Sequence, residues 1–226
     1  MEKSAGHPEL IVMLTYNDYT SLKAPEVFEQ CTASKARYWG FKEKPLPRPE
    51  MVALCRRIRE CGKVPVLEVV AYTEAEGLEG ARVAAECGFG MLLGTKYFDS
   101  ISHYCRERGI EYLPYVGEIT GRPSVLTGTA ARMVAEGREC VAGGADGVNL
   151  LGYRYTGDPV ALNREVVSGL EAPVCIAGSI DSFRRLDEVK EAGARYFTIG
   201  SAFFDGKFGS DDFRTQVDAV CDYMVR

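Results

Sequence analysis

Two short segments near the end of the chain have residue types suited to binding a phosphate group. They read AGSID at residues 177–181 and IGSAFF at residues 199–204. Glycine lets the backbone come close to an anion, and the N–H groups that open a following helix point outward to receive it. The two segments are therefore candidates for a phosphate site.

A lysine and a glutamate in neighbouring apolar segments are the main candidates for proton transfer. Glu68 lies inside the apolar run 66–70, where a carboxylate is costly to bury unless a cation is paired with it. Lys42 ends the preceding apolar run and is the expected partner. A buried pair of this kind can have pKa values suited to acid–base chemistry, although a purely structural ion pair is the alternative.

Further polar residues come at or just after the ends of apolar segments. Asp18 follows the first such segment and Glu118 follows the fifth, so they occupy similar places in the two halves of the chain. Asp18 has the alternative role of a helix cap or a turn residue. Asn17, Asn149 and Arg154 are the other candidates for the same site.

The histidine and cysteine patterns restrict the possible chemistry. His7 and His103 are the two histidines, neither is expected at the site, and the eight cysteines form no CxxC or CxxH pair. We therefore expect neither imidazole catalysis nor a metal ion, and no redox pair of cysteines. Proton transfer then falls to carboxylates, a lysine or Tyr153, while Schiff-base chemistry at Lys42 or Lys96 is an alternative.

The elements that position these residues alternate along the chain. Eight apolar runs, each followed by an amphipathic helical pattern, lie at residues 10–17, 37–42, 64–71, 90–95, 112–117, 147–151, 174–177 and 196–200. Runs without polar alternation are typical of parallel strands buried on both faces. The pattern predicts an α/β fold, a single (β/α)₈ TIM barrel over residues 1–226, whose site lies at the carboxyl ends of the strands and whose phosphate site lies in the loops after strands 7 and 8.

The chain also repeats weakly at about half its length. The segment GTKYFD at 94–99 recurs as GSAFFD at 200–205, and VPVL at 64–67 recurs as APVC at 172–175. Two halves of four βα units explain this order, although βα units share composition in any case. If the halves match, Gly94 and Thr95 stand where Gly200 and Ser201 stand, and with Lys96 they form a candidate second anion site.

The spacing between AGSID and IGSAFF, with a helix between them, resembles that of the ribulose-phosphate-binding barrel superfamily. The half-length repeat is similar to that of its histidine-biosynthesis isomerase and cyclase. The usual double glycine after strand 7 is here Ala177-Gly178. By this resemblance, the phosphate-binding residues are Gly178, Ser179, Gly200 and Ser201, and Asp18 and Glu118 are the acid and base.

The resemblance implies an enzyme of carbohydrate metabolism that needs no cofactor. It would be an isomerase, an epimerase or a carbon–carbon lyase acting on a small phosphorylated sugar or related metabolite. A Schiff-base aldolase that uses Lys42 or Lys96 is one alternative. A regulatory barrel that binds a phosphometabolite without turnover is another, and so is a barrel whose activity has been lost.

The charge and the apolar runs limit the partners. A net charge of −5 with no dense basic run is unlike a nucleic-acid-binding surface. No apolar run approaches the roughly 20 residues that span a bilayer, and Met1–Ser4 lacks the layout of a signal peptide. We expect a cytoplasmic protein without nucleic-acid or membrane partners; its oligomeric state, including a homo-oligomer, is left open.

Overall fold

Eight short parallel strands form one sheet that closes on itself. In the computed structural model, which describes residues 6–226, they are β1 (Glu9–Met13), β2 (Tyr38–Lys42), β3 (Val64–Val69), β4 (Met91–Gly94), β5 (Glu111–Leu113), β6 (Val148–Leu150), β7 (Val174–Ile176) and β8 (Tyr196–Ile199). The sheet order is β6-β7-β8-β1-β2-β3-β4-β5, and a parallel bridge between Tyr115 and Asn149 joins its two edges. The predicted (β/α)₈ barrel architecture is confirmed.

The helices pack around the outside of the barrel. They are α1 (Ala24–Gln30), α2 (Arg48–Glu60), α3 (Glu74–Cys87), α4 (Asp99–Glu107), α5 (Ala130–Ala142), α6 (Pro159–Gly169), α7 (Phe183–Ala192), α8 (Ser201–Phe204) and α9 (Phe213–Met224), with a 3₁₀ turn at Gly152–Arg154. Side-chain caps at Thr73 and Asp158 begin α3 and α6. Gly88 and Gly193 end α3 and α7 in the left-handed conformation that glycine adopts most easily.

Two apolar cores hold these layers together. One fills the barrel interior and includes Ile11, Met13, Val66, Met91 and Leu113. The other lies between the strands and the helices, where the opposite faces of the same strands meet the apolar helix faces. Because both faces of each strand are buried, the strands read as continuous apolar runs in the sequence.

Two short β-hairpins extend the loops after β1 and β5. The first hairpin pairs Thr15–Tyr16 with Tyr19–Thr20, and the second pairs Glu118–Thr120 with Val125–Thr127. The sequence placed strand ends at residues 17 and 117, but β1 ends at Met13 and β5 at Leu113. In the first hairpin, Asn17 and Asp18 have φ angles of 48° and 71°, which suit the two central residues of a tight hairpin turn.

No helix among residues 6–226 has the length and apolar character to cross a membrane. The prediction about Met1–Ser4 lies outside the described residues.

Candidate active site

A cavity of about 250 Å³ opens at the carboxyl ends of the strands. The loops after β7 and β8 supply one part of its wall, and a cluster of charged side chains supplies another. Its polar lining includes Thr15, Asp18, Lys42, Glu68, Tyr115, Ser124, Arg154, Gly178, Ser179, Gly200 and Ser201. The fold therefore brings most of the sequence-predicted residues to one place.

Lys42 is the centre of the charged cluster. It pairs in register with Glu68 across β2 and β3, and its Nζ lies 3.4 Å from Oε2 of Glu68. The same Nζ donates a hydrogen bond to Oδ1 of Asp18 at 2.8 Å. On its other side, Glu68 accepts a hydrogen bond from the Tyr115 hydroxyl at 2.8 Å. Burial, and then the adjacent Glu68 carboxylate, raise the pKa of Tyr115 well above its usual value, so this hydroxyl stays protonated and holds Glu68 in place.

Asp18 is surrounded by cations at the tip of the first hairpin. Its Oδ1 also accepts a hydrogen bond from Nη1 of Arg154 at 3.1 Å, and its Oδ2 lies 3.7 Å from Nε of Arg122 in the second hairpin. Burial alone would raise the pKa of Asp18, but Lys42 and then Arg154 outweigh it, and the net pKa is below its usual value. Asp18 is thus an ionised turn residue and a member of the site at once.

The two glycine-containing loops line the cavity with Gly178, Ser179, Gly200 and Ser201. Among residues 6–226, no protein oxygen accepts a hydrogen bond from the N–H groups of Gly178, Ser179, Gly200 or Ser201. Each glycine lies where a side chain would collide: a Cβ on Gly178 would be 2.8 Å from Cγ of Arg154, and one on Gly200 would be 2.6 Å from Oγ1 of Thr15. Close packing therefore requires glycine at both loops, and the amides stay available for a ligand.

The candidate second anion site has a different geometry. The N–H groups of Thr95 and Lys96 donate to the carbonyl oxygens of Val69 and Ala71, at 2.9 and 3.1 Å. The Lys96 ammonium donates to the Gly117 carbonyl at 2.6 Å and to Glu136 at 2.9 Å. Gly94, with φ +84°, leaves room for the Val69 carbonyl and the Tyr115 ring. These donors are already hydrogen-bonded within the protein. The candidate phosphate site is therefore limited to the loops after β7 and β8.

Four other candidates lie outside the charged cluster. Glu118 is on an exposed strand of the second hairpin and pairs with Arg132 at 2.8 Å, so the structure does not bring it to Asp18. Tyr153 donates to Glu188 of α7 at 2.9 Å. Asn149 is fully buried, and its neighbours in β6 belong to the core outside the barrel, so its side chain points into the barrel interior. Asn17 lies at the rim, where its N–H donates to Oγ of Ser201 at 3.1 Å.

Tyr115, Arg122 and Ser124 were not selected from the sequence, although all three lie at the site or beside it. Tyr115 and Ser124 line the cavity. Arg122 links the two hairpins through Asp18, at 3.7 Å, and also lies 3.7 Å from Glu43, which follows β2. Tyr115 was included in a predicted strand whose end faces the site, which was a usable signal. Arg122 and Ser124 follow from the second hairpin, which no feature of the sequence predicted.

No group of three or more His, Cys, Asp and Glu side chains within residues 6–226 is arranged to hold a metal ion.

No family model matches this chain, and no curated protein matches it. Solved structures match almost all of it. Orotidine 5'-phosphate decarboxylase from Pyrococcus horikoshii OT3 has 16% identity and a TM-score of 0.71, covering 95% of this chain and 98% of the other. A protein described as native KDPGal has 13% identity and a TM-score of 0.68, covering 95% and 93%. Tryptophan synthase from M. tuberculosis, in an open form with BRD0059 bound, has 14% identity and a TM-score of 0.66, covering 97% and 94%. At these identities the likeness shows a shared TIM-barrel fold.

Proposed function

We propose that this protein is an enzyme that acts on a small phosphorylated metabolite by proton transfer, as an isomerase, an epimerase or a carbon–carbon lyase. The observation that carries the proposal is that two different groups of residues line one cavity. Unbonded amides of two glycine-containing loops and the Asp18–Lys42–Glu68 cluster line the same space of about 250 Å³. One end can hold an anion while the other end moves protons.

The loop amides suit a phosphate because they provide several N–H donors. These donors carry no full charge, so no hydrated cation has to lose its water when the phosphate binds. Their place after β7 and β8 is the usual phosphate position in barrels of this fold. The cavity volume is below the roughly 300–1,000 Å³ typical of drug-sized ligands. A small sugar phosphate or a related metabolite is therefore the proposed ligand.

The charged cluster suits enolisation of a carbonyl compound. Glu68 would accept a proton from the carbon next to the carbonyl, and the Lys42 ammonium would donate a proton to the carbonyl oxygen as negative charge develops there. Return of the proton from Glu68 to the neighbouring carbon, with passage of that enediol's other hydroxyl proton to Lys42, completes an isomerisation. In the lyase alternative, Glu68 instead takes the proton of a β-hydroxyl group, the bond between the α and β carbons breaks to release an aldehyde, and Lys42 protonates the oxygen of the resulting enolate. Asp18 and Tyr115 hold Lys42 and Glu68 at 2.8 Å contacts during these steps.

The same contacts favour acid–base catalysis over a Schiff base at Lys42. A Schiff base forms from the neutral amine, whereas Asp18 and Glu68 both attract the charged ammonium. Lys96, the other lysine considered, is bound to Glu136 and the Gly117 carbonyl. Both lysines are therefore proposed to act as ammonium groups.

Membership of the ribulose-phosphate-binding superfamily is part of the proposal. Its support is the barrel itself, the two loops at 177–181 and 199–204, and a hairpin after both β1 and β5, four units apart. The shared fold with a decarboxylase named for a 5'-phosphate substrate agrees with it.

Two measurements on the purified chain test the proposal. A crystal soaked in inorganic phosphate is expected to show an anion on the amides of residues 178–179 and 200–201. A thermal-shift screen of sugar phosphates is expected to find a ligand that the chain converts and that Glu68→Gln binds but does not convert. Absence of the anion from the four amides would overturn the phosphate site. A tight ligand that no assay shows to be converted would favour the regulatory barrel instead.

A further inference from the structure

Arg154 joins the two halves of the site. Its side chain comes from the 3₁₀ turn after β6, and its Nη1 donates to Oδ1 of Asp18 at 3.1 Å. Its aliphatic stem passes directly over Gly178, where a Cβ would lie 2.8 Å from Cγ and 3.1 Å from Nε of Arg154. One side chain therefore contacts both the proposed phosphate loop and the carboxylate beside Lys42.

Asp18 is covered on both carboxylate oxygens in this structure. Oδ1 is bonded to Lys42 and Arg154, and Oδ2 faces Nε of Arg122 at 3.7 Å. The side chain borders the cavity but is only 2% exposed, and three cations surround it. Departure of a cation from Oδ1 would free a lone pair there to accept a proton.

Arg154 is the cation that both hydrogen-bonds the Asp18 carboxylate and reaches the loop after β7. Its side chain is 23% exposed, against 24% for Arg122 and 6% for Lys42, and it uses one of its five N–H donors on Asp18. It also lines a second, more open cavity at the rim, beside the main one. The guanidinium can therefore turn outward without breaking the core.

We propose that Arg154 is a positioning residue that leaves Asp18 for the ligand's phosphate group, so that Asp18 becomes a second proton acceptor only after a phosphate has bound. This inference rests on the proposed function and adds an order of events to it. A phosphate carries more negative charge than a carboxylate, and its oxygens match the planar guanidinium fork in two parallel hydrogen bonds. The phosphate and Asp18 therefore compete for the same side chain.

Competition has a signature that a merely structural ion pair lacks. If Asp18 holds Arg154 back, Asp18→Asn releases the guanidinium and tightens the binding of inorganic phosphate. The gain disappears when Arg154 is absent. Phosphate affinity is measured by NMR titration of the four loop amides at about pH 7.5, where a phosphate monoester is mostly dianionic, in the wild type, Asp18→Asn, Arg154→Met and the double variant.

We expect Asp18→Asn to tighten phosphate binding by about fivefold or more, the lower end of typical couplings between sites. In the Arg154→Met background the same change is expected to have less than about a twofold effect. Glu43→Gln is the matched control, since it removes a neighbouring carboxylate that faces Arg122 instead of Arg154. Equal gains in the two backgrounds, or an equal gain from Glu43→Gln, would overturn the inference.

A crystal of the wild-type chain with inorganic phosphate gives a second, direct readout that needs no variant to fold. Arg154 is expected within about 3.2 Å of a phosphate oxygen and beyond about 4 Å from Asp18. Phosphate on the loop amides with Arg154 still on Asp18 overturns this inference and leaves the proposed function standing. No phosphate on those amides overturns both.

Discussion

Lys42 and Glu68 are direct neighbours across two parallel strands, with their charged atoms 3.4 Å apart and both side chains almost fully buried. Two carboxylates and one ammonium inside the barrel mouth form a unit whose members depend on one another. Removing one member leaves an uncompensated buried charge. This lowers the stability of the fold more than replacing the whole pair with apolar residues would.

Lys42→Met is therefore expected to lower the free energy of unfolding by about 3–5 kcal/mol, because Asp18 and Glu68 lose their shared cation. Urea unfolding measures the change. The double variant Lys42→Met/Glu68→Gln is expected to regain part of the loss, since it removes one of the two stranded charges. A double variant less stable than Lys42→Met would contradict the pairing.

The phosphate loops are tested by a pair of matched glycine substitutions. Gly178 and Gly62 both have positive φ, at 83° and 72°, but a Cβ on Gly178 would meet Arg154 while one on Gly62 would meet nothing within 4 Å. Both changes to alanine are expected to destabilise the fold by about 1 kcal/mol through backbone strain, and Gly178→Ala must in addition displace the Arg154 side chain. Only Gly178→Ala is expected to weaken phosphate binding, by about tenfold or ~1.4 kcal/mol, in a calorimetric titration. Equal phosphate affinities of the two variants would argue against the loop after β7 as the phosphate site.

The pH dependence of stability is expected to differ in sign between Asp18 and Glu43. The pKa of Asp18 is lowered, so its ionised form stabilises the fold above the unfolded-state pKa of about 3.9, and this stabilisation is lost as pH falls through the lower folded-state value. Burial raises the pKa of Glu43, so ionising it costs stability as pH rises past its unfolded-state value of about 4.3.

At neutral pH, Asp18→Asn is therefore expected to lower the urea midpoint and Glu43→Gln to raise it. The difference between wild type and Asp18→Asn is expected to shrink below about pH 4. Unfolding curves at a series of pH values measure both effects, and two variants that change stability in the same direction at neutral pH would contradict this assignment.

Reduction with borohydride is expected to leave Lys42 and Lys96 unmodified in the presence of any carbonyl ligand found by the screen, because carboxylates hold both ammonium groups. Intact-mass and peptide-mass measurement follow the reaction. An adduct of ligand mass on Lys42 would replace the enolisation mechanism with a Schiff-base aldolase.

Arg122 is expected to hold the two hairpins together over the mouth. Its guanidinium approaches Asp18 and Glu43 and lies 4.4 Å from the ring centre of Tyr19. Arg122→Met is expected to speed amide exchange in residues 15–20 and 118–127 by about fivefold, or about 1 kcal/mol of local opening free energy. Arg132→Met is the control, since its pair with Glu118 on the second hairpin is exposed; equal acceleration by both variants would assign the effect to the hairpin surface.

The barrel could be predicted from the sequence because parallel strands buried on both faces leave continuous apolar runs, and glycines mark the helix ends that precede them. The Lys42–Glu68 neighbourhood followed from the same pattern, since a carboxylate in an apolar run requires a cation on an adjacent strand. The two residues that the sequence pattern pairs are also paired across β2 and β3 in the structure.

The hairpins could not be predicted, because each has strands of only two or three residues, which lie at or beyond the end of an apolar run. Asp18 and Glu118 were matched by their distance from strand ends, but Asp18 occupies a hairpin turn and Glu118 begins a hairpin strand. The second hairpin reaches the cluster instead through Arg122, close to its turn. Lys96 was predicted to bind an anion because of its place in the half-length repeat. In the structure its ammonium group is instead hydrogen-bonded to Glu136 of α5, a contact that the repeat does not reveal.

The side chains packed inside the barrel also have a kinetic consequence. Ile11, Val66, Met91 and Leu113 fill the space below Lys42 and Glu68, so the barrel described by residues 6–226 has a floor under the cavity. A ligand would then enter and leave through the same mouth, which the hairpins and the loops after β7 and β8 surround. For the proposed reaction, a bound product would therefore exclude the next substrate, and inhibition by product is expected to be competitive.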